Sequence, residues 1–209
     1  MNYFIGVSLG YLIGSIPTAY IAGRLYKGID IREYGSGNVG ATNVFRVLGK
    51  WPGIVVLMFD IFKGFFVVGI LSDFLGVKEY VGFLLLAIAV VSGHNWTIFL
   101  KFRGGKGIAT SLGVLIALTI KIISLRIVLL VTILLWLVCF ISTGIVSLSS
   151  IIASIFLPVV MISTKQSNVF IFLGVAFCMF VILRHRPNIR RLFDGTEPKV
   201  KLPFIKGSH

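Results

Sequence analysis

The sequence predicts an all-α integral membrane protein with seven transmembrane helices, its N-terminus outside and its C-terminus in the cytoplasm. Three observations predict it. First, of 209 residues 57% are hydrophobic and 13% charged, where a soluble domain carries about 25% charged residues. Mean hydropathy is +1.01. Such a chain lacks the polar surface to coat itself in water, which excludes a soluble enzyme. Second, apolar runs approach the roughly 20 residues that a spanning helix needs. Third, Lys and Arg crowd into alternate connecting segments, as the positive-inside rule requires.

The runs cover approximately 2–23, 52–74, 79–100, 106–120, 125–142, 146–163 and 168–184. The first lacks a basic leader and a cleavage site, so it reads as a retained span. The second carries Asp60 and Lys63 inside it. The third carries His94, Asn95 and Trp96 near its inner end; Trp96 reads as an interfacial anchor. A tight Gly/Arg/Lys loop leads from there into the fourth run, which is short and reads as a partly embedded helix. The sixth holds Pro158, which predicts a kink. Cys139 and Cys178 lie within apolar runs without CxxC spacing, and read as two buried reduced thiols.

Orientation follows from the cations. With the C-terminus inside, the cytoplasmic segments hold fifteen of them. These are Arg24, Lys27, Arg32, Arg46 and Lys50, then Lys101, Arg103 and Lys106. The tail adds Arg184, Arg186, Arg190, Arg191, Lys199, Lys201 and Lys206. The outer side holds four, Lys78, Lys121, Arg126 and Lys165, and Lys63 lies within a span. The net charge of +13 is accounted for by topology, and no nucleic-acid partner is expected.

Three polar clusters share the inner side. The first is Gly35-Ser36-Gly37-Asn38-Val39-Gly40-Ala41-Thr42-Asn43, followed by Arg46. Its glycines permit positive φ, from which successive N–H groups can form an anion-binding nest. Ser36, Asn38, Thr42 and Asn43 add donors, and Arg46 adds a fork suited to phosphate. The second, Lys101-Phe102-Arg103-Gly104-Gly105-Lys106-Gly107, opens a helix, an arrangement that favours anions. It is not a Walker A loop. The third is Arg184-His185-Arg186-Pro187-Asn188, with Gly195-Thr196-Glu197 beyond. Membrane anchoring explains some of its arginines, but not His185 or Asn188.

The inventory limits the chemistry. Inner-side acids are Asp30, Glu33, Asp194 and Glu197, and no carboxylate pair or His cluster has metal-ligand spacing. A metal-free, cofactor-free site is expected. Asp60 and Lys63, at i and i+3, share a helix face. Each left unpaired would cost about 2.5–3.5 kcal/mol at mid-helix, so they are expected to pair structurally. His94 reads as a hydrogen-bonded helix-end residue. What remains is a cationic, donor-rich cradle beside lipid, suited to a substrate with a phosphate and a fatty tail.

These motifs resemble those of the bacterial acyl-phosphate:glycerol-3-phosphate acyltransferase family (PlsY). GSGNVGATN with Arg46, KFRGGKG, and HRPN followed by GTE occur in order, from the first span to the tail. The resemblance implies one membrane-embedded domain over 1–209, with its active site facing the cytoplasm of a bacterial inner membrane. It implies transfer of an acyl group from acyl phosphate to the 1-hydroxyl of glycerol 3-phosphate, giving lysophosphatidic acid and phosphate. Acyl phosphate, glycerol 3-phosphate and membrane lipids would be its partners. Ser36, Arg46, Lys106, His185 and Asn188 would be catalytic. Gly37, Asn38, Gly40, Thr42, Asn43, Gly104, Gly105 and Gly107 would bind substrate. Glu197 would be structural. Val146-Ser147-Leu148-Ser149-Ser150 looks like a further family segment, with Ser150 its match for a substrate-contacting serine.

Acyl phosphate is a mixed anhydride and already activated. His185 is the obvious general base, but its cationic neighbours Arg184 and Arg186, with Lys106, would weaken it. Substrate-assisted catalysis, in which a phosphate oxygen of the donor accepts the proton, is preferred. Two other readings compete. A transporter for organic phosphates would place its site near the midplane between repeats, and no repeat is visible. A module binding anionic lipid headgroups would not need the Gly/Asn/Thr pattern.

Overall fold

The computed structural model describes residues 3–200, all of whose regular elements are helical. Lys201 and Lys206, counted above as inner cations, lie outside the described residues. The elements are α1 (Tyr3–Ser15), α2 (Thr18–Lys27), α3 (Ala41–Val47), α4 (Lys50–Phe65), α5 (Ser72–Phe74), α6 (Tyr80–Asn95), α7 (Ile108–Lys121), α8 (Leu125–Thr143), α9 (Val146–Ser163), α10 (Asn168–Arg184) and α11 (Arg186–Phe193). A π-helical turn, Phe66–Leu71, joins α4 to α5.

Among the described residues, five helical stretches are long and apolar enough to cross a membrane: Tyr3–Lys27, Lys50–Phe74, Tyr80–Leu100, Leu125–Thr143 and Val146–Ser163. The pair α10 and α11, bent by 64°, makes a sixth if it counts as one span. The seventh expected span is the 14-residue α7. The first run is broken rather than continuous, because Pro17 supplies no N–H and starts α2 afresh. Helix α9 runs unbroken through Pro158. Cys139 and Cys178 are free, as expected, but half-buried instead of buried. In α8 only Leu125 and Val128 are buried; a helix this apolar with so little covered needs hydrocarbon around it.

The chain divides into two compact units between Ile123 and Ser124. In the first, α1 packs on α6 and α4 on α7. Both crossings are backbone-close. A Cβ on Gly14 would collide with the Val90 carbonyl, one on Gly93 with the Tyr11 carbonyl, and one on Gly64 with the Thr110 carbonyl. Small residues at crossings are how helices associate in lipid, where apolar burial gives no drive. An apolar core of Ala19, Ala22, Ile31, Val39, Val44, Val56 and Leu100 then seats the 28–49 loop region on α2 and α4. In the second unit, α9 packs against α8 and α10. A Cβ on Gly174 of α10 would approach Met161 Sδ to 2.8 Å and Pro158 Cα to 3.3 Å.

Candidate active site

The first motif is a loop held by its own asparagine. Asn43 is buried, and its Oδ1 accepts the Ser36 N–H at 2.8 Å. Its Nδ2 donates to the Ile31 and Tyr34 carbonyls at 3.2 and 3.0 Å. Gly37 takes φ +68° and gives its N–H to Tyr34. The expected N–H nest is therefore partly used up: Ser36 and Gly37 bond inside the loop. Asn43, expected among the substrate donors, is the loop's internal clamp. Gly40 is extended, at φ −152°, and caps α3; it does not use positive φ. A Cβ there would lie 2.9 Å from Asn38 Nδ2.

The cations of this region have unequal duties. Arg32 forks onto Asp30 with contacts of 2.6 to 3.2 Å, and Arg24 lies 3.7 Å from the same carboxylate. Both guanidinium groups also sit over the Tyr20 ring, at 5.2 and 5.4 Å. Hydrogen bonding from Arg32 brings the Asp30 carboxyl down to about 2. Lys27 Nζ donates to the Val47 carbonyl that ends α3. Arg46 and Ser36 are exposed, and Arg46 makes no hydrogen bond or ion pair with another described residue. The donors of Arg46 are thus uncommitted among the described residues.

The second motif opens on a strained turn. Lys101 and Phe102 both adopt left-handed backbone, at φ +53° and +61°, which costs a non-glycine residue about 1–3 kcal/mol. The turn is tied down by Thr97, whose hydroxyl donates to the Ser15 carbonyl and whose carbonyl accepts the Phe102 N–H. Gly104 and Gly105 then donate their N–H groups to the Asn95 and His94 carbonyls, at 3.2 and 3.0 Å. These two N–H groups are not the phosphate donors that the sequence suggests. The glycines serve close approach instead: a Cβ on Gly105 would collide with His94 Nε2 and lie 2.8 Å from the Val39 carbonyl. Gly107 takes φ +82° and heads α7. So Gly105 is where the second motif meets the first, and the half-buried Lys106 follows directly.

Two residues here escaped the sequence reading. His94 lies under the glycine loop instead of merely ending α6. The amide of Asn95 is fully buried with no partner for either atom among the described residues, and Gly107 lies against it. Only the adjacency of His94 and Asn95 to the basic loop could have flagged them.

The third motif lies in the second unit. Pro187 cannot donate to the α10 ladder, so the helix ends and the chain turns into α11. His185 sits at that corner, buried, with Nδ1 2.8 Å from the Val181 carbonyl. A carbonyl only accepts, so Nδ1 carries the proton and the neutral ring's lone pair is on Nε2. Glu197 gathers the rest. Its Oε1 accepts from Ser147 at 2.7 Å and Asn188 at 2.6 Å, and its Oε2 from Arg191 at 2.7 Å. Burial opposes its ionisation, but these three bonds outweigh burial and hold the carboxyl below its ordinary range. Ser150, expected to touch substrate, donates to the Val146 carbonyl and accepts from Trp136 Nε1. The serine that joins the Glu197 cluster is Ser147, one turn earlier.

An all-α chain with membrane-length helices and two polar motifs locked together at Gly105 is a multi-pass membrane protein with a built polar site. The chain belongs to the glycerol-3-phosphate acyltransferase family, whose family model matches residues 4–195. It is similar to the glycerol-3-phosphate acyltransferase of Gloeobacter violaceus, at 42% identity over 97% of this chain and 98% of that one. The Fusobacterium nucleatum protein of the same name is 41% identical over 96% of this chain and 100% of its own. Among solved structures it is similar to PlsY (YgiH), an integral membrane glycerol 3-phosphate acyltransferase. The glycerol 3-phosphate form matches with TM-score 0.86 and 37% identity, covering 96% of each chain. The lysophosphatidic acid form matches with TM-score 0.83 and 36% identity.

Proposed function

We propose that this acyltransferase takes its acyl group from acyl phosphate and delivers it to the 1-hydroxyl of glycerol 3-phosphate. The products are lysophosphatidic acid and inorganic phosphate. The observation that carries this reading is the junction at Gly105. There the basic glycine loop rests on Val39 of the first motif, the motif that Arg46 follows in the chain. A donor phosphate and an acceptor phosphate need cationic groups from both motifs, and this junction joins the two.

The hydroxyl oxygen attacks the acyl carbon, the carbon–oxygen bond to phosphorus breaks, and phosphate leaves with the electron pair. The hydroxyl proton passes to an oxygen of that phosphate. Ser36 and Arg46 bind phosphate, and Lys106 stabilises the charge developing on the leaving group. His185 and Asn188 contact substrate from the third motif. His185 Nδ1 faces a neutral carbonyl, which stabilises an imidazolium less than a carboxylate would. That supports the substrate phosphate, and not His185, as the base.

In this reading the chain has seven spans, with the N-terminus outside and the site at the cytoplasmic face of a bacterial inner membrane. The fifteen-to-four cation split supports it. At 1.5 Å per residue, the 14 residues of α7 reach about 21 Å, short of a 30 Å hydrocarbon core.

The test is phosphate release by purified protein in a lipid mesophase, with palmitoyl phosphate and glycerol 3-phosphate. Release that needs both substrates and is lost in Arg46→Ala is expected. Release without glycerol 3-phosphate would make the protein a hydrolase instead.

A further inference from the structure

Asp60, Lys63 and His94 are all buried, at 1%, 5% and 7% exposure. One oxygen, Asp60 Oδ1, receives three groups. Thr18 Oγ1 donates at 2.7 Å, Lys63 Nζ lies at 2.8 Å, and His94 Nδ1 at 3.5 Å. Lys63 also donates to the Ile16 carbonyl, which accepts the Thr18 N–H as well. The ion pair by itself neutralises both charges in the span. The histidine is not needed for that.

We infer that Asp60 and His94 are positioning residues for the glycine loop, and so for the bound donor. The carboxylate holds Nδ1 and thereby sets the rotation of the imidazole. The Nε2–Cε1 edge of the same ring is the surface on which Gly105 rests. The His94 carbonyl accepts the Gly105 N–H at 3.0 Å. Gly105 is therefore gripped at two points by one residue, and Val39 lies against it as well. Loss of the ring, or of its orientation, opens a gap under Gly105 and shifts Lys106, the next residue. A misplacement of about 1 Å can cost a factor of 10² in rate. The inference rests on the proposal that this loop takes acyl phosphate.

The discriminating variant is the double change Asp60→Leu with Lys63→Met. It removes both charges together, so neither is left alone in the span. His94→Asn is its complement, because it leaves the ion pair intact and removes the ring edge. Thr18→Val is the control for general damage to the network. KM and kcat for palmitoyl phosphate and for glycerol 3-phosphate are measured on each, beside the thermal midpoint in detergent. The expected result is about a tenfold rise in KM for palmitoyl phosphate in both D60L/K63M and H94N. KM for glycerol 3-phosphate and the T18V kinetics stay within twofold. The triple variant is no worse than H94N. If D60L/K63M yields no folded protein, H94N decides. Folded variants with unchanged constants, or with both KM values raised alike, would overturn the inference and leave the pair as charge neutralisation. A wild-type protein that does not turn over palmitoyl phosphate would remove the donor reading and this inference with it.

Discussion

Replacing Glu197 by Gln removes one charge and turns one acceptor into a donor. Glu197 Oε1 accepts two hydrogen bonds and Oε2 a third, from Arg191. The variant amide can keep its oxygen toward Ser147 and Asn188. Its NH₂ group then faces the Arg191 N–H, donor against donor. A hydrogen bond between charged groups contributes about 1.5–3 kcal/mol. Arg191 is 34% exposed, so solvent screening puts the loss near the lower end, about 2 kcal/mol. In a chain of this length 1 kcal/mol moves the midpoint by about 2–4 °C, so E197Q is expected to melt about 4–8 °C lower. The assay is thermal unfolding in detergent, followed by intrinsic fluorescence. The sign of the pH effect is also set. A carboxyl whose folded pKa is depressed stabilises the protein above its unfolded pKa, and that stability is lost as pH falls through the folded value. The gap between wild type and E197Q should therefore close on acidification. Arg191→Gln removes the same bond, so the double variant should be far from additive. A midpoint unchanged within 1 °C at neutral pH, or an additive double variant, would refute the view that Glu197 ties the tail to α9 and α11.

Gly105→Ala would drive a methyl group into the His94 ring and toward the Val39 carbonyl; an activity loss of about tenfold or more is expected in folded protein, read by phosphate release. His185→Gln should retain most of kcat if the substrate phosphate is the base, whereas a loss near 10³-fold would return that role to the imidazole. Ser147→Ala removes a donor from the buried Glu197 carboxylate and should cost about 1–2 kcal/mol in a thermal melt. Ser150→Ala should act through the unpartnered Trp136 indole N–H, lowering stability without raising KM for either substrate.

The sequence by itself determined that the chain is an all-α membrane protein and where its long apolar runs lie. Apolar run length and Lys/Arg placement are local properties, and a bilayer reads them locally. The pairing of Asp60 with Lys63 was legible too, because i,i+3 spacing puts both on one face at any tertiary arrangement. The structure decided what local pattern leaves open. Glycines at 104 and 105 look like phosphate-binding N–H groups, yet their N–H groups close onto Asn95 and His94. Whether a glycine is there for its donor or for its missing Cβ depends on what packs against it. Asn43 and Ser150 look like substrate ligands for the same reason, and each has its polar atoms used within its own unit. The role of His94 needed two long-range contacts, to a carboxylate 34 residues earlier and to a loop 11 residues later. Hydrogen-bond satisfaction in a buried site is a property of the fold, so only the tertiary structure could assign it.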